Sequence, residues 1–455
     1  MSDNIAKLPL ITSVSQFEVD FIIPLNGIDL RLGIDPFLLY KSRDEEFKQL
    51  HSLILKVFNE TISCYKQGNR DFAQYILNFP EVSEIGLGYS KSSKDGSGAG
   101  TFYNALILDI LSSTPDILDR GFKHIEELQL LSTGIGADRI SDIVANLLKQ
   151  YLIEYTQKQC ELWNIPLMRD VPISHIFDSN NMEWFDGYFD LPLSPFNKKP
   201  ILLVPRRIIR ILPWINYNDF YRLEFTAFLR AKKIKKQLNK NIVIETSRKE
   251  IERIDRYIKN KEATANLAEP SINYLDLNKL AEQSDKFKKE LQEIPSGTEH
   301  STIYQNIMLS IFNYLFEPDL TNGKKEVATI HGTERRDIIF TNESDKPFFS
   351  YLRNTYKNLL IMFEAKNVSQ LSNNHYAQTA TYLGDKLGHT GFILTRNTVP
   401  KNQILKAISI FNNDRKVILA LTDEDINFML DLKKAGRDPM AYLTDKYREF
   451  KVKIQ

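Results

Sequence analysis

The feature that most constrains the fold is a short apolar run, Asn358-Leu359-Leu360-Ile361-Met362-Phe363, that ends abruptly in Glu364-Ala365-Lys366. As a strand, it alternates its side chains between two faces. Glu364 and Lys366 then point one way, while Ile361, Phe363 and Ala365 point into the fold. A carboxylate and an amine at the frayed end of a buried strand are costly unless they are paired or used. A second run, Arg335-Arg336-Asp337-Ile338-Ile339-Phe340, has one acid near its head and places that acid 27 residues before Glu364. The interval accommodates a strand, a turn and a second strand. Asp337 on an adjacent strand would complete a two-carboxylate cluster.

Hard oxygen ligands of this kind suit magnesium, which takes one or two carboxylates and keeps several waters. Lys366 is then placed to orient or deprotonate a water that attacks a phosphodiester. Beyond the run lies Gln378-Thr379-Ala380-Thr381-Tyr382, where helical spacing sets His375, Gln378 and Tyr382 on one face. Asp337, Glu364-Ala365-Lys366 and Gln378-x-x-x-Tyr382 together resemble the PD-(D/E)XK nuclease superfamily, nearest its Mrr-like and RecB-like branches. The resemblance covers residues 300–455, and the Gln-x-x-x-Tyr helix is its RecB-like part. It implies a restriction-endonuclease-like fold. Asp337 and Glu364 would hold Mg2+ (or Mn2+), Lys366 would assist the nucleophile, and Gln378 and Tyr382 would support substrate or water. Arg335 and Arg336, beside Asp337, would contact the scissile backbone.

One position departs from that family. Its first helix usually carries a glutamate that joins the metal cluster, and the matching helix here has Gln305. An amide oxygen can coordinate but brings no charge, so Glu299 or Glu317 would have to substitute for a third acid. A plainer reading stays open as well. Glu364 and Lys366 would be an ion pair at a strand end, worth little energetically, and Asp337 a strand-start residue.

A chain of 455 residues exceeds the usual single domain. Its 42% hydrophobic and 11% aromatic content suffices for sizeable cores. The net charge of +1 excludes a global field that would coat nucleic acid, but not a local basic groove. The two cysteines, Cys64 and Cys160, lie too far apart for a metal-binding pattern and read as reduced cytosolic thiols. The first residues carry no basic-then-apolar signal, and no apolar run reaches the length of a membrane span.

Several other stretches are candidates. Residues 17–25 read as a strand and 28–32 as its hairpin partner across Asn26-Gly27, and 44–65 as an amphipathic helix. A glycine-rich stretch, 86–100, precedes a predicted helix at 102–113. It could bind an anion at the helix start or be a surface loop; it lacks the Gly-Lys-Ser/Thr of a P-loop. Asp138, Arg139 and Asp142 open a long predicted helix, either as a site or as capping acids with an ion pair. Arg206, Arg207 and Arg210, beside aromatics, could face nucleic acid or run along a core. Residues 230–263 hold 12 Lys/Arg against 5 Asp/Glu, with Lys232, Lys236 and Lys240 at helical spacing. That surplus suits phosphate gripping or a solvated linker helix.

The expectation is therefore an α/β protein in three parts. Residues 1–228 form an α+β domain for sensing, partner binding or oligomerisation. Residues 229–295 form a basic helical linker. Residues 296–455 form a nuclease domain with a mixed sheet flanked by helices. The expected partner is nucleic acid, DNA in preference to RNA, bound through Arg335, Arg336, Lys232 and Lys236. A homo-oligomer or protein partner at the N-terminal domain, a cytoplasmic location, no membrane, and a role in prokaryotic restriction or anti-phage defence complete it. The alternatives are a catalytically silent nucleic-acid-binding module on the same fold and a ligand-responsive scaffold.

Overall fold

Five strands in the C-terminal part of the chain pair into one mixed sheet, and the helices between them cover it. The computed structural model describes residues 9–11, 13–26, 30, 32–87, 99–226, 238–271, 277–328, 335–435 and 437–454. The chain divides into two units: Met1–Val14 with Phe21–Ser271, and Ser15–Asp20 with Ile272–Gln455. The segment expected as a linker does not form a third body. Its helices Lys240–Lys249 and Ile251–Ala263 belong to the first unit, and Leu277–Glu293 to the second. The hydrophobic stripes of these helices are buried, at Val243, Ile254, Tyr257, Phe287 and Leu291. A stripe of that kind packs onto a core rather than bridging solvent. Lys232 and Lys236, and the glycine-rich residues 88–98, lie outside the described residues.

In the first unit the expected helix appears as Glu45–Lys66, with Asp44 as its N-cap accepting from the Glu46 N–H. Ile54, Val57 and Phe58 line its buried face. The predicted 17–25 strand shrinks to Phe21–Ile22, which pairs antiparallel with Val204–Pro205 instead of with a neighbouring hairpin arm. The long helix expected after Asp138 is two, Ala137–Leu147 and Lys149–Trp163. Arg139 Nη1 lies 2.9 Å from Asp142 Oδ2, as in the ion-pair reading. A long hairpin, Met168–Asp178 with Glu183–Leu191, follows.

Arg206 and Arg207 are buried, so they do not form a nucleic-acid surface. The Arg207 guanidinium lies 3.7 Å above the Phe47 ring and 2.9 Å from Asp44 Oδ2. Aromatic stacking and a carboxylate partner make burial tolerable for this planar cation. Glu126 is fully buried too, and neither of its oxygens has a hydrogen-bond partner. The nearby Phe37 N–H is bonded to Asp35 Oδ1 at 3.1 Å. Burial first, and the neighbouring Asp35 second, hold the Glu126 carboxyl well above the usual carboxylate range.

The second unit comprises α1 (Leu277–Glu293), α2 (Ser301–Phe316), β1 (Leu320–Ala328), β2 (Arg335–Asn342), α3 (Pro347–Tyr356), β3 (Leu360–Lys366), α4 (Asn373–Tyr382), β4 (Thr390–Thr395), α5 (Lys401–Asp414), β5 (Val417–Thr422), α6 (Asp423–Lys434) and α7 (Met440–Ile454). The sheet order is β5-β4-β3-β2-β1. Strands β3, β4 and β5 run parallel, and β1, β2 and β3 alternate antiparallel. The central strands read as unbroken apolar runs because both faces are covered, which is the signature of a buried sheet. Parallel neighbours need crossovers, and α4 and α5 supply them.

Two features seat α2 on the sheet. Phe312 stacks on Phe363 at 4.2 Å, and Phe363 on Phe392 at 5.0 Å. Full burial of each such ring is worth about 1.5–3 kcal/mol. In β1, a bulge at Asn322-Gly323 interrupts the ladder between Thr321 and Lys324. A side chain at Gly323 would put its Cβ 2.7 Å from both Leu309 of α2 and Phe340 of β2, so only glycine permits that approach. Buried Asn358 pins the start of β3. Its amide donates to the carbonyls of Leu360, Leu387 and Thr390, and its oxygen accepts from the Thr390 N–H.

Candidate functional site

The β2–β3 ladder ends at the pair Ile338↔Phe363. Continuing that register by one residue sets Asp337 opposite Glu364. Beyond it the Ala365 N–H is bonded not by a β2 carbonyl but by Asp337 Oδ2, at 2.8 Å. Strand β3 meanwhile stays paired with β4 through Thr395↔Lys366, so Glu364 and Lys366 are held firmly on one side only. The Asp337 carboxylate thus lies one peptide unit from Glu364, and both expected acids reach the same strand end.

Glu364 is 1% exposed. Its Oε1 is 2.7 Å from Lys366 Nζ, while its Oε2 is buried without a hydrogen-bond partner. Lys366 Nζ also donates to Gln378 Oε1 at 3.3 Å, and Gln378 Nε2 donates to the Tyr382 hydroxyl at 2.7 Å. The four side chains form a chain from the sheet to α4. Tyr382 is buried while Gln378 is exposed, so the chain meets solvent at its glutamine link. His375, one turn earlier on α4, accepts from the Ser372 N–H through Nδ1 at 3.1 Å. Burial first, and the Lys366 ammonium second, hold its imidazole below the ordinary value.

Gln305 comes from α2, two turns before Phe312 and therefore on nearly the same helix face. Its Nε2 donates to Asp337 Oδ1 at 2.8 Å. Its neighbour Asn306 accepts from Lys325 Nζ of β1 at 2.7 Å. Sequence reasoning flagged Gln305 as a departure; its role as a donor to Asp337 emerges only when α2 packs on the sheet. The substitutes for a third acid do not converge here. Glu299 is exposed before α2, and Glu317 caps the far end of α2, about 18 Å along the axis from Gln305 at 1.5 Å per residue. Among the described residues no three His, Cys, Asp or Glu side chains form a metal-binding group.

The backbone of Arg335 and Arg336 lies in β2, opposite Ala328 and Val327, two positions or fewer from Asp337. Their side chains, like Lys232 and Lys236, lie outside the described residues. The arrangement has a definite chemical character. A buried carboxylate with one unmet oxygen sits beside a second carboxylate, with a single ammonium between the first and an amide. An acceptor with no donor in such a place is normally satisfied by a ligand, ion or water. Glu364 Oε2 and the Asp337 carboxylate, whose two oxygens already accept from Gln305 and the Ala365 N–H, are the oxygens here that could hold a hard divalent cation.

A model of a domain of unknown function, DUF8370, matches residues 11–216, which excludes every residue of the cluster just described. Among curated proteins, the putative transposon gamma-delta 80.3 kDa protein of Escherichia coli (strain K12) is 32% identical over 117 residues, 26% of this chain. The match spans 16% of that protein's own length. No solved structure matches the chain at a significant level. No helix among the described residues is long and apolar enough to cross a membrane.

Proposed function

We propose that the second unit is a metal-dependent nuclease of restriction-endonuclease-like fold that hydrolyses phosphodiester bonds, DNA in preference to RNA. The observation that carries this reading is Glu364: buried, half-paired with Lys366, and with one oxygen left for a ligand beside Asp337. In this reading Asp337 and Glu364 hold Mg2+ or Mn2+. When bound, the ion supplies Lewis-acid stabilisation of the phosphoryl oxygens and makes water a better nucleophile.

The chain's own groups do the rest. Gln305 and the Ala365 N–H fix the Asp337 carboxylate from two directions. Lys366, tethered between Glu364 and Gln378, orients the attacking water and offsets negative charge gathering on the phosphoryl group. Gln378 and Tyr382 present an amide and a phenol for hydrogen bonds to water or phosphate. Arg335 and Arg336 are proposed to grip the backbone beside the scissile bond, and Lys232 and Lys236 to bind phosphate.

The relative's printed name ties that protein to a transposon. By resemblance to nucleases fused to other domains, we propose a cytoplasmic role in restriction or anti-phage defence, with the first unit as the sensing or partner-binding part. The direct test is incubation of the full chain with plasmid and single-stranded DNA, in Mg2+ or Mn2+ against EDTA. Cleavage by the wild type and its loss in Glu364→Ala support the reading. A silent binding module is favoured by Gln305 standing where a third acid is expected. Retained DNA binding without cleavage in either metal would select it.

A further inference from the structure

The constellation spans four elements, α2, β2, β3 and α4, and something must set the distance between them. Gln305 with Asp337 depends on where α2 sits; Glu364 with Lys366 depends on where β3 ends. One cation outside the cluster reaches both. Arg396, just past β4, uses each of its nitrogens on a different partner. Its Nε is 2.7 Å from Asp423 Oδ2, its Nη1 donates to Asn367 Oδ1 at 3.3 Å, and its Nη2 to the Leu291 carbonyl at 3.1 Å. Its guanidinium also lies 5.2 Å from the centre of the Tyr304 ring.

Two of these three partners lead to residues next to the cluster. Asp423 Oδ1 accepts from the hydroxyl of Tyr304 at 3.0 Å, and Tyr304, fully buried, immediately precedes Gln305. Asn367 immediately follows Lys366. Its amide nitrogen donates to the carbonyls of Pro295 at 2.9 Å and Gly297 at 2.7 Å, while its backbone oxygen accepts from the Gly297 N–H at 2.9 Å. Both hydrogens and the oxygen of that amide are therefore engaged. Arg396 and Asp423 are themselves mostly buried, with side chains 11% and 17% exposed. A charge-assisted pair in such surroundings is stronger and more rigid than one in water.

We infer that Arg396 and Asp423 are positioning residues: a single ion pair that ties the helix carrying Gln305 to the end of the strand carrying Lys366, and so fixes the spacing of the two halves of the site. The hydrogen bonds and ion pairs of both side chains go to Tyr304, Leu291, Asn367 and each other. Only the kinetic arm of the test rests on the nuclease reading. The Ala365 N–H, which donates to Asp337, reports the spacing directly in the absence of any ligand.

The test uses full-length Arg396→Lys and Asp423→Asn. Hydrogen exchange is followed at Ala365, with Ile393 in the interior of β4 as the reference, and steady-state cleavage of plasmid is measured with Mn2+ and Mg2+. Lysine keeps the charge but not the three-way reach; asparagine keeps an acceptor for Tyr304 but not the charge. We expect Ala365 to exchange at least 10-fold faster in both variants while Ile393 stays within 2-fold. We also expect kcat to fall at least 10-fold with KM for DNA within 3-fold. Exchange at Ala365 and kcat both within 2-fold of wild type would overturn the inference. So would equal acceleration at Ala365 and Ile393, which would mark a general loss of stability. If the wild type cleaves no DNA, the nuclease reading fails by itself, and the exchange arm alone decides the positioning role.

Discussion

Replacing Glu364 by alanine tests metal binding without recourse to catalysis, because the buried carboxylate oxygen without a donor has a thermodynamic signature of its own. Leaving a buried acceptor unmet costs about 1–3 kcal/mol, and a cation that binds only the folded chain recovers that and more. If the metal is present at 100 times its dissociation constant, the gain is about 2.7 kcal/mol. The second unit contains about 190 residues. For a unit of that size each kcal/mol moves Tm by about 2–4 °C, so the wild-type transition should rise by about 5–11 °C between EDTA and saturating Mn2+ or Mg2+. In Glu364→Ala the same addition should move it by less than about 1–2 °C, since Asp337 alone offers too few charged oxygens. Without metal the variant loses both the unmet oxygen and the partner of Lys366, two effects of opposite sign. Differential scanning calorimetry on the full chain, with sodium chloride matching the ionic strength, measures all four conditions. A metal-induced rise in Glu364→Ala of more than half the wild-type value would refute the assignment of Glu364 as a ligand. A wild type that does not respond to either metal would refute the two-carboxylate site altogether.

Lys366→Met should leave Glu364 as an uncompensated buried charge and destabilise the second unit by about 3–5 kcal/mol without metal, with part of the loss regained on adding Mn2+. Denaturant unfolding in EDTA and in Mn2+ reads this, and equal loss in both would contradict it. Gln305→Glu should replace a donor to Asp337 by a third acid. Metal-free stability should drop by about 1–3 kcal/mol, the worth of a hydrogen bond to a charged group, while Mn2+ affinity measured by titration calorimetry rises; unchanged affinity would show that position 305 does not face the ion. In the first unit, the buried Glu126 carboxyl is held well above its ordinary value, so the stability it lends is complete below about pH 4.5 and falls as the pH rises toward its folded-state value. Glu126→Gln should remove that loss, about 1.4 kcal/mol per pH unit for one proton, and melt higher than wild type at pH 8 with little difference at pH 4.5. A pH-independent difference between the two would show that Glu126 is charged in the folded state.

Much of the second unit is legible in the chain because its strands are buried on both faces. Continuous apolar runs at 360–363, 391–394 and 417–421, separated by helix-period segments, leave few arrangements other than a covered sheet. Alternation along one strand suffices to set Glu364 and Lys366 on a common side. The first unit resisted such reading because its strands are two residues long or lie in one exposed hairpin. Phe21–Ile22 looks like half of a local hairpin, yet its partner, Val204–Pro205, lies more than 180 residues away. The arginines at 206 and 207 look like a surface for phosphate, and the buried Arg207 is held by Phe47 and Asp44 arriving from another helix.

Local pattern, then, determined the central strands of the second unit and which side of β3 carries charge, because those properties depend on neighbours within a turn or two. Tertiary packing decided that Gln305 donates to Asp337, that the Ala365 amide is bonded by a side chain, that one oxygen of Glu364 is left buried without a donor, and that Arg396 ties Asn367 to Asp423. Each of those facts joins atoms from segments far apart in sequence. Hydrogen bonds and desolvation act over a few ångströms of space, and the chain's periodicity carries no record of which distant groups will come within that range.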